Sequence, residues 1–259
     1  MSVTKIQWTQ RTWNPVRGCS RVSEGCCYCY AESLAARFSG PGQAYEGLAK
    51  ITPGGPRWTG EVRLVQGRLD LPLHWREPCS IFVNSMSDLF HEDLREEDIR
   101  QVFDVMVRAH WHQFQVLTKR ASRLSDLAPH LPWPPNLWQG VSIESAEHLN
   151  RIDNLRRVPA GIRFLSIEPL LGSISDLSLG DINWVIVGGE SHGPPDRALV
   201  YKGLHGEWTP KPGALAWVRS IRDQCVGANV TFFFKQWGGP RPESGGRVLD
   251  GKIWDEFPR

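Results

Sequence analysis

The sequence lacks any long apolar run. Its longest candidates, Trp184–Gly188 and residues 230–234, have only the length of a β-strand, whereas a helix that crosses a bilayer needs roughly 18 apolar residues or more. The first five residues also lack the apolar core of a secretory signal. These absences argue against a transmembrane or secreted protein, and we expect a cytoplasmic protein that does not bind a membrane.

An excess of charge of one sign is also missing. The 259 residues contain 30 Lys and Arg against 28 Asp and Glu, so the formal net charge is +2. This balance excludes a histone-like protein that binds nucleic acid by charge alone, but it allows a local basic groove. Hydrophobic residues make up 41% of the chain and charged residues 22%, which is typical of a folded protein and excludes wholesale disorder.

Tryptophan, in contrast, is abundant, with 12 residues in the chain. Many of them lie beside Pro, Gly, Arg or Thr, in segments that indicate loops. They either pack loops onto the core or stack on nucleobases, and the sequence leaves both interpretations open. The tryptophans of this kind are Trp8, Trp13, Trp58, Trp75, Trp133, Trp138, Trp208 and Trp237.

Strand-like apolar runs alternate with amphipathic helical stretches along the chain. The order of strand, loop and helix repeats six or seven times, which predicts a parallel α/β sheet with right-handed crossovers. Residues 12–16 lead into a cysteine-rich loop, and the Gly- and Pro-rich segment 39–60 is predicted to be an irregular insertion. The predicted strands are residues 80–85, 113–117, 137–143, 163–167, 184–187 and 230–234, and the predicted helices are residues 30–38, 95–110, 121–127, 146–157 and 214–226.

Polar residues follow one predicted strand after another. In a barrel of parallel strands the active site lies at the carboxyl ends, where residues from many strands meet. We therefore predict a full or partial TIM-like α/β barrel in preference to an open Rossmann-like sheet, in a single domain over residues 1–259. Each of these side chains alone, Ser142 above all, is also a candidate helix cap. The residues are Asn84, Ser85, Thr118, Lys119, Ser142, Glu144, Glu168, Gly188, Gly189 and Glu190.

The chain has six cysteines, and four of them crowd into eleven residues as Cys19, Cys26, Cys27 and Cys29. A disulfide framework would spread its cysteines along a secreted chain, so the cluster indicates a metal site. Three thiolates on one loop can hold three irons of a cubane cluster and leave the fourth iron open. A zinc site would need Cys27 as a fourth ligand, and redox-active thiols are a third alternative. Because Cys26 and Cys27 are adjacent, their side chains diverge, which favours iron–sulfur on Cys19, Cys26 and Cys29.

Further motifs accompany the cysteine loop, in order, from Trp8 to Gly238. With Trp13-Asn14-Pro15 before the loop and Cys29-Tyr30-Ala31-Glu32 at its end, the sequence resembles the phage-associated three-cysteine-motif family (phage Gp37/Gp68-like), a family without an assigned function. The other segments that carry the resemblance are residues 83–90, 117–120, 140–144, 164–172, 185–191 and 232–238.

That family is similar to radical S-adenosylmethionine enzymes, with a widened gap between the first two cysteines. The resemblance implies a partial (βα)6-type barrel, a [4Fe-4S] cluster on the three cysteines, and S-adenosyl-L-methionine on the open iron. It also implies an electron donor such as flavodoxin or ferredoxin. We expect Lys119 to meet the carboxylate of S-adenosylmethionine. The residues expected to line this cofactor are Ser85, Thr118, Ser142, Glu144, Glu168, Gly188 and Gly189.

Among radical S-adenosylmethionine enzymes, this chain looks similar to the spore photoproduct lyase type, which reverses a thymine–thymine photodimer in DNA. The resemblance implies a bacterial or phage-encoded enzyme whose partner is DNA. One alternative is hypermodification of thymine in phage DNA, and another is a non-catalytic, zinc-stabilised nucleic-acid-binding module. Arginines in the loops suit a flipped base, although scattered arginines are also ordinary solvated surface. These arginines are Arg11, Arg17, Arg57, Arg63, Arg68, Arg120 and Arg123.

A repaired thymine must regain a hydrogen atom, and a thiol or a phenol is the natural donor. The candidate catalytic residues are Cys79, which we favour as the donor, and Tyr28 and Tyr30, which flank Cys29. Cys79 lies directly before a predicted strand, a place that suits the opposite end of the barrel. Residues 191–212 depart from the family pattern as a second irregular insertion, so they bear on substrate specificity.

Overall fold

The computed structural model describes residues 4–241 and 244–258. It divides into two compact units, the first made of residues 1–140 and 157–161 and the second of residues 141–156 and 162–259. Within the described residues, no helix combines the length and the apolar content that a bilayer span requires. The prediction of a single domain over the whole chain stays a prediction.

The first unit contains the cysteine loop and most of the short elements. Three 3₁₀ helices, Glu24–Cys26, Leu71–His74 and Ala128–His130, lie between its longer elements. These elements are β1 (Arg11–Trp13), β2 (Val16–Arg17), α1 (Tyr30–Arg37), β3 (Ala49–Thr52), β4 (Gly55–Trp58), β5 (Arg63–Leu64), α2 (Gln66–Leu69), β6 (Ser80–Val83), α3 (Glu96–Arg108), β7 (Gln113–Thr118), α4 (Ala121–Leu127) and β8 (Leu137–Ser142), whose last residues belong to the second unit.

The second unit begins with the end of β8 and the 3₁₀ helix Ala146–His148. Its elements are α5 (Asn150–Arg156), β9 (Ile162–Ile167), β10 (Trp184–Gly188), β11 (Val200–Lys202), β12 (Trp208–Pro210), α6 (Pro212–Gly227), β13 (Thr231–Gln236), β14 (Val248–Leu249) and β15 (Lys252–Ile253). The sequence predicts one helix over residues 146–157, but the structure divides it. The division arises because the amides of Leu149 and Ile152 bond three residues back rather than four.

The fold is α/β, with a curled, half-barrel sheet of seven strands in the order β1-β6-β7-β8-β9-β10-β13. Strand β1 pairs with β6, β6 with β7, β9 with β10 and β10 with β13, and these four pairings are parallel. The predicted fold class is therefore confirmed. Each predicted strand occurs with its bounds shifted by a few residues at most.

Burial on both faces explains why the strands are almost continuously apolar. In the first unit Ile81 on β6 pairs with Phe114 on β7, and Val83 pairs with Val116, and all four side chains are fully buried. Strands covered on both sides have this composition in parallel sheets. Helix α3 buries one face and carries acidic residues in its first turn and Arg108 in its last, which complements the helix dipole.

The two segments predicted to be irregular insertions each contain a short hairpin. In residues 39–60, β3 pairs antiparallel with β4, and Thr52 faces Gly55 across a two-residue turn. In residues 191–212, β11 pairs antiparallel with β12. The correction has a local cause: Pro53 presets the φ of an ordinary turn, and Gly55, at a φ of +92°, adopts the left-handed conformation that lets the chain return.

The structure separates the loop tryptophans into two groups. Trp8, Trp13, Trp138 and Trp237 are buried, and the Trp13 indole nitrogen donates to the carbonyl of Arg68 at 2.8 Å. For these four, packing onto the core is confirmed, and stacking on nucleobases is excluded. The half-buried members of the set are Trp58, Trp75, Trp133 and Trp208.

Candidate functional site

The cysteine loop leaves the carboxyl end of β2 and ends where α1 begins. Gly18 opens it with a φ of +91°, and a Cβ at this position would lie 2.0 Å from the carbonyl oxygen of Glu61. Only glycine meets both conditions. Cys26 ends a 3₁₀ helix, and Cys29 occupies the N-cap position of α1. The backbone therefore holds the last two predicted ligands in regular local structure.

Three of the four loop thiols form an electrostatic group. Burial raises the pKa of Cys19 to about 12, and Cys29 and Cys26 are among the charges that raise it further. Burial also raises the pKa of Cys29, with a further contribution from Cys26. Cys27 is exposed; the pKa of Arg21 is raised chiefly by its hydrogen bond with Glu32, and Cys27 and Cys26 both add to that rise. The grouping matches the predicted ligand set, which itself stays a prediction.

No closed site for a single ion is formed by these residues. Over residues 4–241 and 244–258, no three or more His, Cys, Asp or Glu side chains are arranged to hold one metal ion. A structural zinc site needs four such ligands around one ion, whereas the thiolates of a cubane cluster bind different irons. The loop supplies three thiols besides the exposed Cys27, and three is the number of protein ligands that a cubane cluster with one open iron takes.

Arg120 holds the residue that follows Cys19. Its Nη2 donates to the carbonyl oxygen of Ser20 at 3.2 Å and to the Ser20 hydroxyl at 2.8 Å. Its Nη1 donates to Asp88 at 3.1 Å and its Nε to Glu92 at 2.7 Å. The Arg120 side chain is only 3% exposed, so this guanidinium is committed to the loop and does not reach solvent.

Asp88 connects the ends of two strands. One carboxylate oxygen accepts from the Thr118 hydroxyl at 2.7 Å and from the amide of Phe90 at 3.0 Å. The other oxygen accepts from the amide of Lys119 at 3.2 Å and from Arg120. A buried carboxylate with four donors is well compensated. Thr118, a predicted cofactor residue, therefore acts in this structure through Asp88.

His91 supports the same loop as a neutral imidazole. Its Nδ1 accepts from the amide of Asp93 at 3.2 Å, so Nε2 carries the proton and donates to the Ser20 hydroxyl at 2.8 Å. Burial, and then the charge of Arg120, lower the pKa of His91. Ser20 thus receives two donors, one from His91 and one from Arg120.

The widened gap between Cys19 and Cys26 has its own anchor. Arg21 forms a two-pronged ion pair with Glu32, a buried residue of α1. A carboxylate oxygen of Glu32 also accepts the amide of Trp58 at 2.8 Å. These contacts tie the extra loop residues to α1 and to the hairpin of β3 and β4.

Several predicted residues of the first unit lie beside this loop. Lys119 lies close enough to Cys29 to lower its pKa, opposing the effect of burial. The Tyr30 hydroxyl donates to the carbonyl of Ser85 at 2.5 Å. Tyr28 and Tyr30 are both exposed, at 44% and 50%.

Cys79 lies elsewhere. It precedes β6, whereas Ser85 follows the same strand, so the length of the strand separates Cys79 from the cysteine loop. The Cys79 sulfur lies 3.5 Å from Nδ1 of His112, and the Nε2 of His112 lies 3.1 Å from the carbonyl of Pro72. Burial raises the pKa of this thiol. The structure does not bring Cys79 together with Tyr28 and Tyr30.

In the second unit, Ser142 and Glu144 share one partner. Arg151 donates from Nη1 to a Glu144 carboxylate oxygen and to the Ser142 carbonyl, both at 2.7 Å. Glu144 is fully buried, and His148 lies 3.6 Å away. Ser142 and Glu144, both predicted to line the cofactor, are therefore held in place by a residue of their own unit.

Glu168 and the glycines after β10 form a second group in this unit. Lys235 lies 2.8 Å from the Glu168 carboxylate, and Gly188 lies directly beside that carboxylate. Gly189 is glycine for a packing reason, since a Cβ there would lie 2.1 Å from the carbonyl oxygen of Trp237. The structure thus brings Glu168 and Gly188 together, as the sequence predicts for strand ends.

Four residues of the site were not predicted from the sequence. Asp88 and Arg120 lie in motifs that carried the family resemblance, but no role was assigned to Asp88, and Arg120 was considered as a base contact. Arg21 and Glu32 lie within the cysteine motif itself. All four are charged residues inside matching motifs; Arg21 and Glu32 are eleven residues apart, whereas Arg120 and Ser20 are 100 residues apart.

Comparisons with known proteins complete the description. A family model described as "Protein of unknown function (DUF5131)" matches residues 3–258, and no curated protein matches the chain. A cysteine-to-serine mutant of spore photoproduct lyase aligns with a TM-score of 0.53 and 12% identity, over 90% of this chain and 78% of that chain. A cysteine-to-alanine mutant of the same lyase gives a TM-score of 0.50 and 12% identity, over 85% and 74%. At this identity the likeness is one of fold.

Proposed function

Because this chain belongs to the DUF5131 family, whose description assigns no function, we propose a function from the site itself: a radical S-adenosylmethionine enzyme that acts on thymine in DNA. The reaction we propose is the direct reversal of a thymine–thymine photodimer. The observation that carries the proposal is the set of three thiols, Cys19, Cys26 and Cys29, grouped in one loop while Cys27 stays exposed. The fold shared with spore photoproduct lyase supports it.

Cys19, Cys26 and Cys29 would hold a [4Fe-4S] cluster, and the donor set fits it. When bound, the cluster and S-adenosylmethionine supply a radical that abstracts hydrogen from a substrate. Burial raises the pKa of Cys19 to about 12, and this residue would hold an iron of the cluster as a thiolate. Arg120 donates to Ser20, the residue next to Cys19. Its positive charge lowers the pKa of the Cys19 thiol and so favours the thiolate.

The remaining polar residues are proposed to hold S-adenosylmethionine. Lys119 lies beside Cys29 and is the cation that we propose for the carboxylate of that cofactor. Ser85 and Thr118 belong to the same unit, and Thr118 would contribute through Asp88. For the second unit we propose the same role for Ser142, Glu144, Glu168, Gly188 and Gly189, with Glu144 as the acceptor for the cofactor's ammonium group.

Hydrogen return to the thymine is the last step of the proposal. Tyr28 and Tyr30 flank Cys29 and are exposed, which supports one of these phenols as the donor. Cys79 lies before β6 and is bound to His112, so its position favours the tyrosines over this thiol. The roles of all three residues stay predictions, as do the electron donor, flavodoxin or ferredoxin, and the phage association.

The proposal is tested by reconstituting the full chain with iron and sulfide in the absence of oxygen. We expect the absorption of an iron–sulfur cluster and release of 5′-deoxyadenosine when S-adenosylmethionine, a reductant and a thymine photoproduct dinucleotide are added. Release with thymine-containing phage DNA but not with the photoproduct would favour hypermodification. A protein that binds zinc in place of iron and releases no 5′-deoxyadenosine would favour the non-catalytic binding module.

A further inference from the structure

Three arginines converge on the surface that leads into the cysteine loop. Arg17 on β2 pairs with Arg63 on β5 across an antiparallel ribbon. Arg68 lies in α2, directly after β5, and its charge reaches Arg17. We name Arg17, Arg63 and Arg68 the basic ridge. Arg17 lies two residues before Cys19, so the ridge adjoins the loop.

Arg17 and Arg63 of the ridge donate to backbone carbonyls rather than to carboxylates. Arg17 donates to the carbonyl of Ala44 at 2.9 Å and Arg63 to the carbonyl of Glu46 at 3.2 Å. Across residues 4–241 and 244–258, none of the three guanidinium groups forms an ion pair with a carboxylate. Burial lowers the pKa of Arg17, and Arg68 and Arg63 lower it further. Like charges held together without compensation favour the approach of an anion.

Aromatic rings accompany the charges. The guanidinium of Arg17 lies 5.5 Å from the centroid of the Tyr45 ring, and the Tyr45 and Trp58 rings lie 6.2 Å apart. Both rings are half-buried against a small cluster of α1 and β3 alanines. Basic side chains combined with partly exposed rings are typical of surfaces that bind a nucleic-acid strand.

We propose that the basic ridge binds the phosphodiester backbone of a DNA strand and guides that strand to the cysteine loop. That the strand is DNA rests on the proposed function. That the ridge binds its phosphodiester backbone rests on the charges of the three arginines. Arginine forks match phosphate oxygens, and each contact releases condensed counterions. Arg120 and Arg123 have no part in this surface, because the Arg120 side chain is buried and both terminal nitrogens of Arg123 donate to carbonyls, whereas Arg17 and Arg63 each use one nitrogen in this way.

The test measures binding of a fluorescent single-stranded thymine oligonucleotide to the reconstituted full chain over a series of salt concentrations. The variants are Arg17→Gln, Arg63→Gln and Arg68→Gln, singly and together. Each lost contact is expected to reduce the slope of log K against log salt by about 0.7, so the triple variant loses about 2. The matched control is Arg100→Gln, which removes the same charge from α3, where Arg100 pairs with Glu96.

The Arg17→Lys variant separates a role in binding from a role in folding. It keeps a charge for phosphate but loses the planar fork that contacts Ala44 and Tyr45, so it should keep the salt slope even where it lowers the melting temperature. Unchanged slopes in the three Gln variants would overturn the proposal, as would an equal loss in Arg100→Gln. Tighter binding of an RNA of the same sequence would overturn the assignment to DNA.

The outcome also separates this inference from the proposed function. Suppose that the Gln variants reduce the salt dependence of DNA binding while the parent protein releases no 5′-deoxyadenosine. That result would support the DNA surface and overturn only the radical chemistry. Normal 5′-deoxyadenosine release by a triple variant that binds DNA as tightly as the parent would overturn only the ridge.

Discussion

Nη1 of Arg120 lies 3.1 Å from a carboxylate oxygen of Asp88, and both side chains are nearly excluded from solvent, at 3% and 8% exposure. The pair stands between the carboxyl ends of β6 and β7 and the residue that follows Cys19. A buried ion pair repays the cost of removing its charges from water only when every remaining donor also has an acceptor. Here Ser20 and Glu92 supply those acceptors, so the pair positions the cysteine loop.

Removal of Arg120 should therefore destabilise the empty protein. In Arg120→Ala the Asp88 carboxylate stays buried without its cation, which costs about 3–5 kcal/mol in comparable pairs. We expect this loss in the free energy of unfolding, measured by urea denaturation, together with a fall in iron bound per chain. Arg120→Lys should recover part of the stability. Arg100→Ala, on the surface of α3, is the control. If Arg120→Ala loses no more unfolding free energy than this control, the positioning role of Arg120 is contradicted.

Single alanine variants of the loop cysteines should separate ligands from neighbours. Cys19→Ala, Cys26→Ala and Cys29→Ala should each lose the iron–sulfur absorption after reconstitution, because three thiolates are needed to hold the cluster. Cys27→Ala is the matched control and should keep it, since Cys27 is exposed. Loss of the absorption in Cys27→Ala with retention in Cys26→Ala would reverse the assignment.

Binding of S-adenosylmethionine should depend on the second unit. Glu144→Gln keeps the shape of a side chain that accepts from Arg151 but removes the charge proposed for the cofactor's ammonium group. We expect calorimetry to show a loss of affinity of at least tenfold. A tenfold loss corresponds to about 1.4 kcal/mol, the size expected for one charge-assisted hydrogen bond. Ser142→Ala is expected to weaken binding less. Unchanged affinity in both variants would count against this part of the site.

The hydrogen donor is open to product analysis. Tyr28→Phe or Tyr30→Phe should still release 5′-deoxyadenosine with a thymine photoproduct but yield aberrant thymine products, because a phenyl ring has no O–H hydrogen to return. Cys79→Ala should repair at the parental rate, given its place before β6. Aberrant products in Cys79→Ala, with clean repair in both tyrosine variants, would return the role to the thiol.

Stability should fall in acid through one carboxylate of the β14–β15 hairpin. Arg219 and Arg222 hydrogen-bond Asp250 and lower its pKa from 3.8 to about 2. A depressed folded-state pKa contributes stability that is present above pH 3.8 and is lost as the pH falls toward 2. The effect is modest because solvent screens the group. Urea midpoints between pH 5 and 2 should show it, and Asp250→Asn should remove this part of the dependence, whereas an identical curve in that variant would exclude it.

The order of elements and the cysteine spacing were accessible from the sequence alone. Strand periodicity and helix periodicity depend on neighbours a few residues apart, so the bounds of β7 or α4 follow from local composition. The divergence of Cys26 and Cys27 follows in the same way from adjacency. Pro53, Gly54 and Gly55 indicate a turn in the sequence but do not by themselves show that β3 and β4 pair across it.

Only the tertiary structure decided which charges serve the site. Ser20 and Arg120 are 100 residues apart, and nothing local distinguishes the buried Arg120 from Arg17, which lies on the surface. Their difference arises from parallel crossovers, which bring the ends of β6 and β7 to the cysteine loop and leave β2 and β5 at the edge of the unit. Chain neighbours determine the elements, whereas pairing across long loops determines which side chains lose water and must find partners.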